Sequence, residues 1–263
     1  EDTWQLATAV ELFHNFTLIH DDIMDQAPLR RGLPTVHTKF GVNTALLSGD
    51  VMLIKAYEYV SRISTKHQSE VLHLFNQTAR EVCEGQQLDM DFENRDQVAI
   101  DEYLRMIELK TSVLLAASLQ LGSMLGGATQ RNQERLYEFG RKLGLAFQVQ
   151  DDYLDAFGDP EKFGKQVGGD ILANKKTFLL IHALEVADPS TKAELMQLMQ
   201  ENPADKVARI LGVFRKTGVD AWALELKKRF LNEAMSALDD IAVLSVRKKP
   251  LIDLAHYLIQ REH

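Results

Sequence analysis

Cysteine is nearly absent. Cys83 is the single one in 263 residues, so no internal disulfide and no cysteine cluster for zinc can form. A reducing compartment suits such a chain, and the cytoplasm is expected. Basic excess is absent as well. The formal net charge is −8, which argues against general binding to nucleic acid or to an anionic membrane. An anionic ligand would then need local cations or metal. No apolar run approaches the roughly 20 residues of a membrane span, and no stretch reads as a signal peptide. Sustained two-residue alternation with β-branched enrichment is missing, so no strands are expected. Long linkers, low-complexity tracts and short-period repeats are missing too.

What is present is helix. With 45% hydrophobic residues the chain can bury a sizeable core, in one large domain or two smaller ones. Apolar residues recur at spacings of three and four almost everywhere. They predict helices near 3–25, 41–63, 68–91, 101–125, 131–156, 174–187, 190–201, 204–216, 219–244 and 249–261. Breakers such as "APLRRGLPT", "LGGATQ" and "FGDPEKFGKQVGGD" fall between them. The expectation is an all-α, single-domain bundle of about ten helices spanning 1–263. "EDTWQLATAVELF" already reads as amphipathic helix at residue 1, so further N-terminal helices are expected upstream.

One repetition stands out. "DDIMD" at 21–25 recurs as "DDYLD" at 151–155, and each copy ends a strongly apolar helix. Positions i and i+4 share a helix face about 6 Å apart. Asp21 therefore pairs with Asp25, and Asp151 with Asp155. Like charges at that spacing repel, and acid at a helix C-terminus opposes the macrodipole. A hard divalent cation resolves both conflicts, because Mg²⁺ prefers carboxylate and phosphate oxygens. One such cluster alone reads more simply as a solvated helix end. Two, each followed by a basic loop, read as metal clamps for a polyphosphate. If the two helices lie side by side, the clusters face each other across a cavity mouth.

Basic groups follow the acids. Arg30 and Arg31 suit bidentate phosphate binding. "FGKQVGGD" offers Lys165, and "NKKT" offers Lys175 and Lys176. A nucleotide phosphate loop would need GxxxxGK then Ser or Thr after a strand, and neither is present. Lys110–Thr111 interrupts an apolar helix, where the lysine either snorkels to solvent or holds a phosphate. Asp89 sits on an apolar helix three residues after Gln86. His20 adjoins the acids, but Mg²⁺ disfavours imidazole and adjacent helix residues do not share a face. A packed or hydrogen-bonded histidine is expected there.

Taken together, "DDIMDQAPLRRGLPT", "GQQLD", "KT", "FQVQDDYLDAFGD" and "GKQVGGDILANKKT" resemble the trans-isoprenyl diphosphate synthases, of short-chain type. The resemblance covers essentially the whole chain. It implies an isoprenoid-synthase fold around a central apolar cavity, a homodimer, and three Mg²⁺ ions. It implies that Asp21 and Asp25 ligate metal on an allylic diphosphate, with Asp89 assisting and Asp22 in support. Asp151 would hold a third ion, with Asp152 and Asp155 helping through water. Arg30, Lys110 and Lys165 would grip the allylic diphosphate, and Arg31 would contact isopentenyl diphosphate. Thr111 and Gln148 would stabilise the developing cation, Phe147 would line the substrate site, and Lys175 would assist at the diphosphate mouth. Members also carry a Gly-Lys-Arg motif upstream of the first acids. It does not fall within these residues.

The resemblance also points to a ruler. Phe16 lies five residues before Asp21, Thr17 four, and Phe13 another turn down. At 1.5 Å per residue, Phe16 sits roughly 7–8 Å below the acids and Phe13 about 12 Å below. An aromatic at −5 alone, with Thr17 beside it, favours a C20 product over C15. Leu47 and Val51 on a neighbouring helix are further candidates for setting that length. The nearest rival reading is a terpene cyclase, which usually carries an Asn/Ser/Glu metal motif in place of the second acid cluster. A non-catalytic subunit of a synthase heteromer would tend to lose the acids or arginines present in this chain. A carboxylate-bridged iron protein would want Glu-x-x-His spacing on paired helices, which is absent.

Overall fold

The computed structural model describes residues 1–95, 97–159 and 168–260. By contact the chain forms two compact units, Glu1–Thr78 with Ala117–Gln133, and Ala79–Ala116 with Glu134–His263. Both are helical, as the three- and four-residue spacing predicts.

In the first unit, α1 (Asp2–Met24) buries Leu6, Ala9, Phe13 and Phe16. Their spacing of three, four and three makes one apolar stripe. That stripe lies along α3 (Val42–Val60), whose buried residues Ala45, Gly49 and Ala56 are small and admit close approach. Gly49 has no room for a side chain, because a Cβ there would stand 2.4 Å from His20 Nε2. Aromatic edges close the core. The Phe13 ring centroid is 5.7 Å from Phe16 and 5.5 Å from Phe75, on α4 (Thr65–Glu93), and Tyr57 is 5.3 Å from Phe75. Burying each such side chain contributes about 1.5–3 kcal/mol.

Between α1 and α3 the chain makes a small hairpin that the sequence reading, which expected no strands, passes over. β1 (Leu29–Arg30) pairs antiparallel with β2 (Leu33–Pro34), Leu29 opposite Pro34 and Arg30 opposite Leu33. The two turn residues, Arg31 and Gly32, have φ of 53° and 76°. Positive φ at both positions matches the right-handed twist of a two-residue hairpin. Buried Thr35 closes its base, donating from Oγ1 to the Ala27 carbonyl at 2.7 Å. A five-residue helix, α2 (Val36–Phe40), then leads into α3.

In the second unit, α5 (Ile100–Ile107) and a π-helical turn (Glu108–Ser112), continued by α6 (Val113–Leu125), which belongs to the first unit from Ala117 on, replace the single helix expected over 101–125. The next long helix is α7 (Gln130–Phe157), which buries Phe139, Leu143, Ala146 and Val149. It is followed by α8 (Gly169–Leu172) and α9 (Phe178–Val186), so the helix expected from 174 begins at Phe178. After these come α10 (Pro189–Glu201), α11 (Lys206–Lys216), α12 (Val219–Asp239) and α13 (Ser245–Gln260). Three polar rungs tie α7 to α12 in antiparallel order. Arg135 meets Asp240 at 3.4 Å, Lys142 meets Glu233 at 2.5 Å, and Lys227 donates to Gln150 at 2.6 Å. The last rung touches the residue just before Asp151. Among the described residues, no helix is long and apolar enough to cross a membrane.

Candidate active site

The first acid cluster stands at the C-terminal end of α1. The Asp25 amide still donates to the Asp21 carbonyl at 2.8 Å, so α-helical spacing runs through the motif and the two carboxylates share a face. Asp25 is exposed, Asp21 is half-buried, and Asp22, one residue round the helix, is buried. The hairpin turns Arg30 back onto this cluster. Its Nε donates to Asp22 Oδ1 at 2.8 Å and its Nη2 to Asp21 Oδ2 at 3.2 Å. Arg30 therefore neutralises acids that the macrodipole disfavours, and Asp22 serves to hold it. Arg31, at the hairpin tip, is exposed.

Below the acids, Phe16 is buried between Phe13 and His20, whose ring centroid is 4.7 Å away. His20 Nε2 lies 3.2 Å from the Leu46 carbonyl and 3.8 Å from Asp50. It is the packed, hydrogen-bonded histidine that the sequence predicts. Thr17 is half-buried and donates to the His14 carbonyl at 2.8 Å.

The second unit carries the remaining candidates. Lys110 lies on the π turn, and its Nζ donates to Asp89 Oδ2 at 2.7 Å with both side chains largely enclosed. It does not snorkel. Burial works to raise the Asp89 pKa, but Lys175 and Lys110 outweigh it and hold the carboxyl below its usual range. A π turn inserts an extra residue into the helical register and is frequent at functional sites. It brings Lys110 and Thr111 into register with other helices. Gly85 on α4 makes that approach possible, since a Cβ there would stand 2.3 Å from the Lys110 backbone nitrogen. Gly144 on α7 does the same on the other side, where a Cβ would stand 2.7 Å from Ser112 Cα. The Gly85→Ala variant is therefore expected to lose about 1–3 kcal/mol of stability, since backbone must move. Chemical denaturation measures it, and an unchanged midpoint would show that the π turn yields freely.

On α7, adjacent acids point apart. Asp151 is half-buried. Asp152, about 100° round the helix, is buried and takes 2.6 Å and 2.9 Å hydrogen bonds from Tyr103 and Gln148. Both Asp152 oxygens are thus engaged by protein donors. Burial chiefly, then the nearby Asp170, pushes its pKa up to about 7. Asp155 holds the chain beyond the motif. Its Oδ2 accepts the Asp170 amide at 3.0 Å and its carbonyl the Gly168 amide at 2.6 Å. Gln148 also accepts the Thr111 hydroxyl at 3.2 Å, and Phe147 beside it is half-buried.

Beyond the motif, Lys165 lies outside the described residues. Lys175 is half-buried and acts electrostatically on both Asp89 and Asp152. Lys176 caps α4, donating to the Phe92 and Glu93 carbonyls at 2.9 Å and 3.0 Å. Two residues missed by the sequence reading support this segment. Buried Lys206 donates to Asn174, and Tyr103 donates to Asp152. A tyrosine on the apolar face of α5, where Met106 and Ile107 are also buried, is the available signal, because a buried hydroxyl needs a partner.

The donors in each unit fit Mg²⁺. Asp21 and Asp25 in the first unit, and Asp89, Asp151 and Asp155 in the second, offer carboxylate oxygens. Among the described residues no three acid, histidine or cysteine side chains converge to hold an ion unaided. Mg²⁺ needs no such cage, because it keeps waters and substrate phosphates beside one or two carboxylates.

Comparison with known proteins supplies the class. The chain is 47% identical over 200 residues to a short chain isoprenyl diphosphate synthase of Methanocaldococcus jannaschii, covering 76% of this chain and 61% of that relative. It is 39% identical over 259 residues to a geranylgeranyl diphosphate synthase of Methanosarcina mazei, covering 98% of this chain and 78% of that one. The crystal structure of a geranylgeranyl pyrophosphate synthase matches with a TM-score of 0.93 at 44% identity, covering 100% and 82% of the two chains. An all-α fold bearing these motifs is that of a prenyltransferase. Residues 1–214 match the polyprenyl synthetase family model, and the chain belongs to that family.

Proposed function

We propose that the protein catalyses head-to-tail condensation of isopentenyl diphosphate with an allylic diphosphate, giving an all-trans prenyl diphosphate with C20 favoured and C15 next. The observation that carries this is the presence of two DDxxD clusters, one in each unit, each with a cation acting on it. Arg30 bonds Asp21 and Asp22 of the first, Lys175 acts on Asp152 of the second, and Lys110 holds Asp89. Product names among relatives, geranylgeranyl in two of those compared, agree with C20.

In this reading Asp21 and Asp25 hold Mg²⁺ with Asp89 assisting, Asp151 holds a third ion, and Asp155 supports it through water. When bound, Mg²⁺ supplies positive charge against the departing diphosphate. Arg30, Arg31, Lys110, Lys165 and Lys175 orient the two diphosphates. The allylic C–O bond breaks and its electron pair leaves with diphosphate. Thr111 and Gln148 present oxygen dipoles to the carbon left cationic, which is stabilisation of charge that develops in the transition state. The isopentenyl double bond supplies the pair for the new C–C bond. The proton then lost goes to the departing diphosphate, and a new double bond forms. Apolar side chains around the reacting carbons exclude water.

The reading takes residues 1–263 as part of one isoprenyl synthase domain, working as a cytoplasmic homodimer. Leu47, Val51 and Ile54 support the dimer. They form an exposed apolar stripe on α3 at helical spacing, the kind of surface a partner covers.

Diphosphate release tests the reaction. Release by the full-length protein should require Mg²⁺, isopentenyl diphosphate and an allylic diphosphate together, stop with EDTA, and resume with added Mg²⁺. Release from the allylic substrate alone, with a cyclic hydrocarbon as product, would favour a cyclase. No release under any of these conditions would rule out both.

A further inference from the structure

We propose that Tyr103 is a positioning residue for prenyl transfer, setting through Asp152 the direction in which the Gln148 amide faces. This rests on the reading of function above. Tyr103 is buried on α5, its ring 6.3 Å from Phe178, and its hydroxyl donates to Asp152 Oδ2 at 2.6 Å. The other Asp152 oxygen accepts from Gln148 Nε2 at 2.9 Å, one helical turn away on α7. A carboxylate is acceptor-only, so Gln148 must offer it the NH₂. The Gln148 carbonyl oxygen is then turned the opposite way, where the Thr111 hydroxyl meets it at 3.2 Å. Thr111 must donate there, which leaves its lone pairs aimed elsewhere.

Each bond direction thus follows from the one before it, and the series starts at Tyr103. The two groups at its far end are the ones assigned to face the developing cation. An amide has two faces of opposite sign, so its orientation decides whether it stabilises positive charge or opposes it. Tyr103 touches no reacting atom. Its contribution is to keep Asp152 fixed and accepting in a buried setting, where an oxygen without a donor is costly. Phenylalanine would fill the same space and supply no donor.

The test is a double-mutant cycle on the full-length protein at pH 8.5, with kcat and the allylic KM measured separately. Tyr103→Phe should lower kcat about 10- to 100-fold, the size of one hydrogen bond to a charged group, with KM within about twofold. In a Gln148→Ala background the same change should cost less than about twofold, because the group it orients is gone. A merely structural tyrosine would cost the same in both backgrounds, and that result would overturn the inference. So would a Tyr103→Phe kcat within about twofold of wild type. If Tyr103→Phe melts below assay temperature, Asp152→Asn replaces it. That variant keeps an acceptor for Tyr103 but loses the carboxylate that dictates the amide. Its kcat loss should likewise vanish in the Gln148→Ala background, and an equal loss in both would overturn the inference. A wild-type protein that does not condense the two substrates refutes the functional reading and this inference with it. An active wild type with a silent Tyr103→Phe refutes this inference alone.

Discussion

Asp21→Asn is expected to lower kcat by at least about 10³-fold while leaving the fold in place. The chemical step separates negative diphosphate from a carbocation, so catalysis depends on charge held where charge develops. Removing one preorganised group of that kind costs about 10²–10³ in kcat. Asp21 is also a proposed metal ligand, which puts the loss at the upper end or beyond. Stability should barely change. The Asp21–Arg30 contact is a partly exposed ion pair at 3.2 Å, and Arg30 keeps its shorter bond to Asp22. Such pairs contribute about 0–1 kcal/mol. Thermal melting alongside steady-state kinetics separates the two quantities. A kcat within about tenfold of wild type would remove Asp21 from the metal-binding role.

Phe16→Ala should change two observables at once. Its ring is buried against Phe13 and His20, and truncating a core phenylalanine costs about 3–5 kcal/mol. If that ring also floors the product cavity, its loss lets the chain grow by at least one C5 unit. The expected result is a lower melting temperature together with products longer than wild type. Destabilisation with unchanged product length would make Phe16 an ordinary core aromatic. Phe13 is buried more deeply and contacts Phe75 as well as Phe16, so the Phe13→Ala loss should fall on stability first.

Some of this was legible in the sequence because it depends on local spacing. Leu6, Ala9, Phe13 and Phe16 give away the buried stripe of α1, and the four-residue interval of Asp21 and Asp25 survives into the folded helix. The nature of His20 was legible too, since Mg²⁺ leaves imidazole no role. Other features depend on distant partners. Neighbours such as Asp151 and Asp152 look equivalent in a motif, yet helix geometry turns one into the core, where only tertiary structure supplies Tyr103. The π turn at Glu108–Ser112 hides inside an apolar run, because one extra residue barely perturbs the periodicity. The Arg31–Gly32 hairpin is a two-residue strand pair, too short for any alternation to show. The helix predicted from 174 starts at Phe178 because Asn174, with φ of 57°, leaves the right-handed helical region.

The most direct measurement is incubation of the full-length protein with Mg²⁺, labelled isopentenyl diphosphate and C5, C10 or C15 allylic diphosphates, followed by chromatography of the dephosphorylated products. Label should enter all-trans prenyl alcohols, with C20 dominant and C15 next. Absence of label from every prenyl product, with a correctly folded protein, would contradict the account.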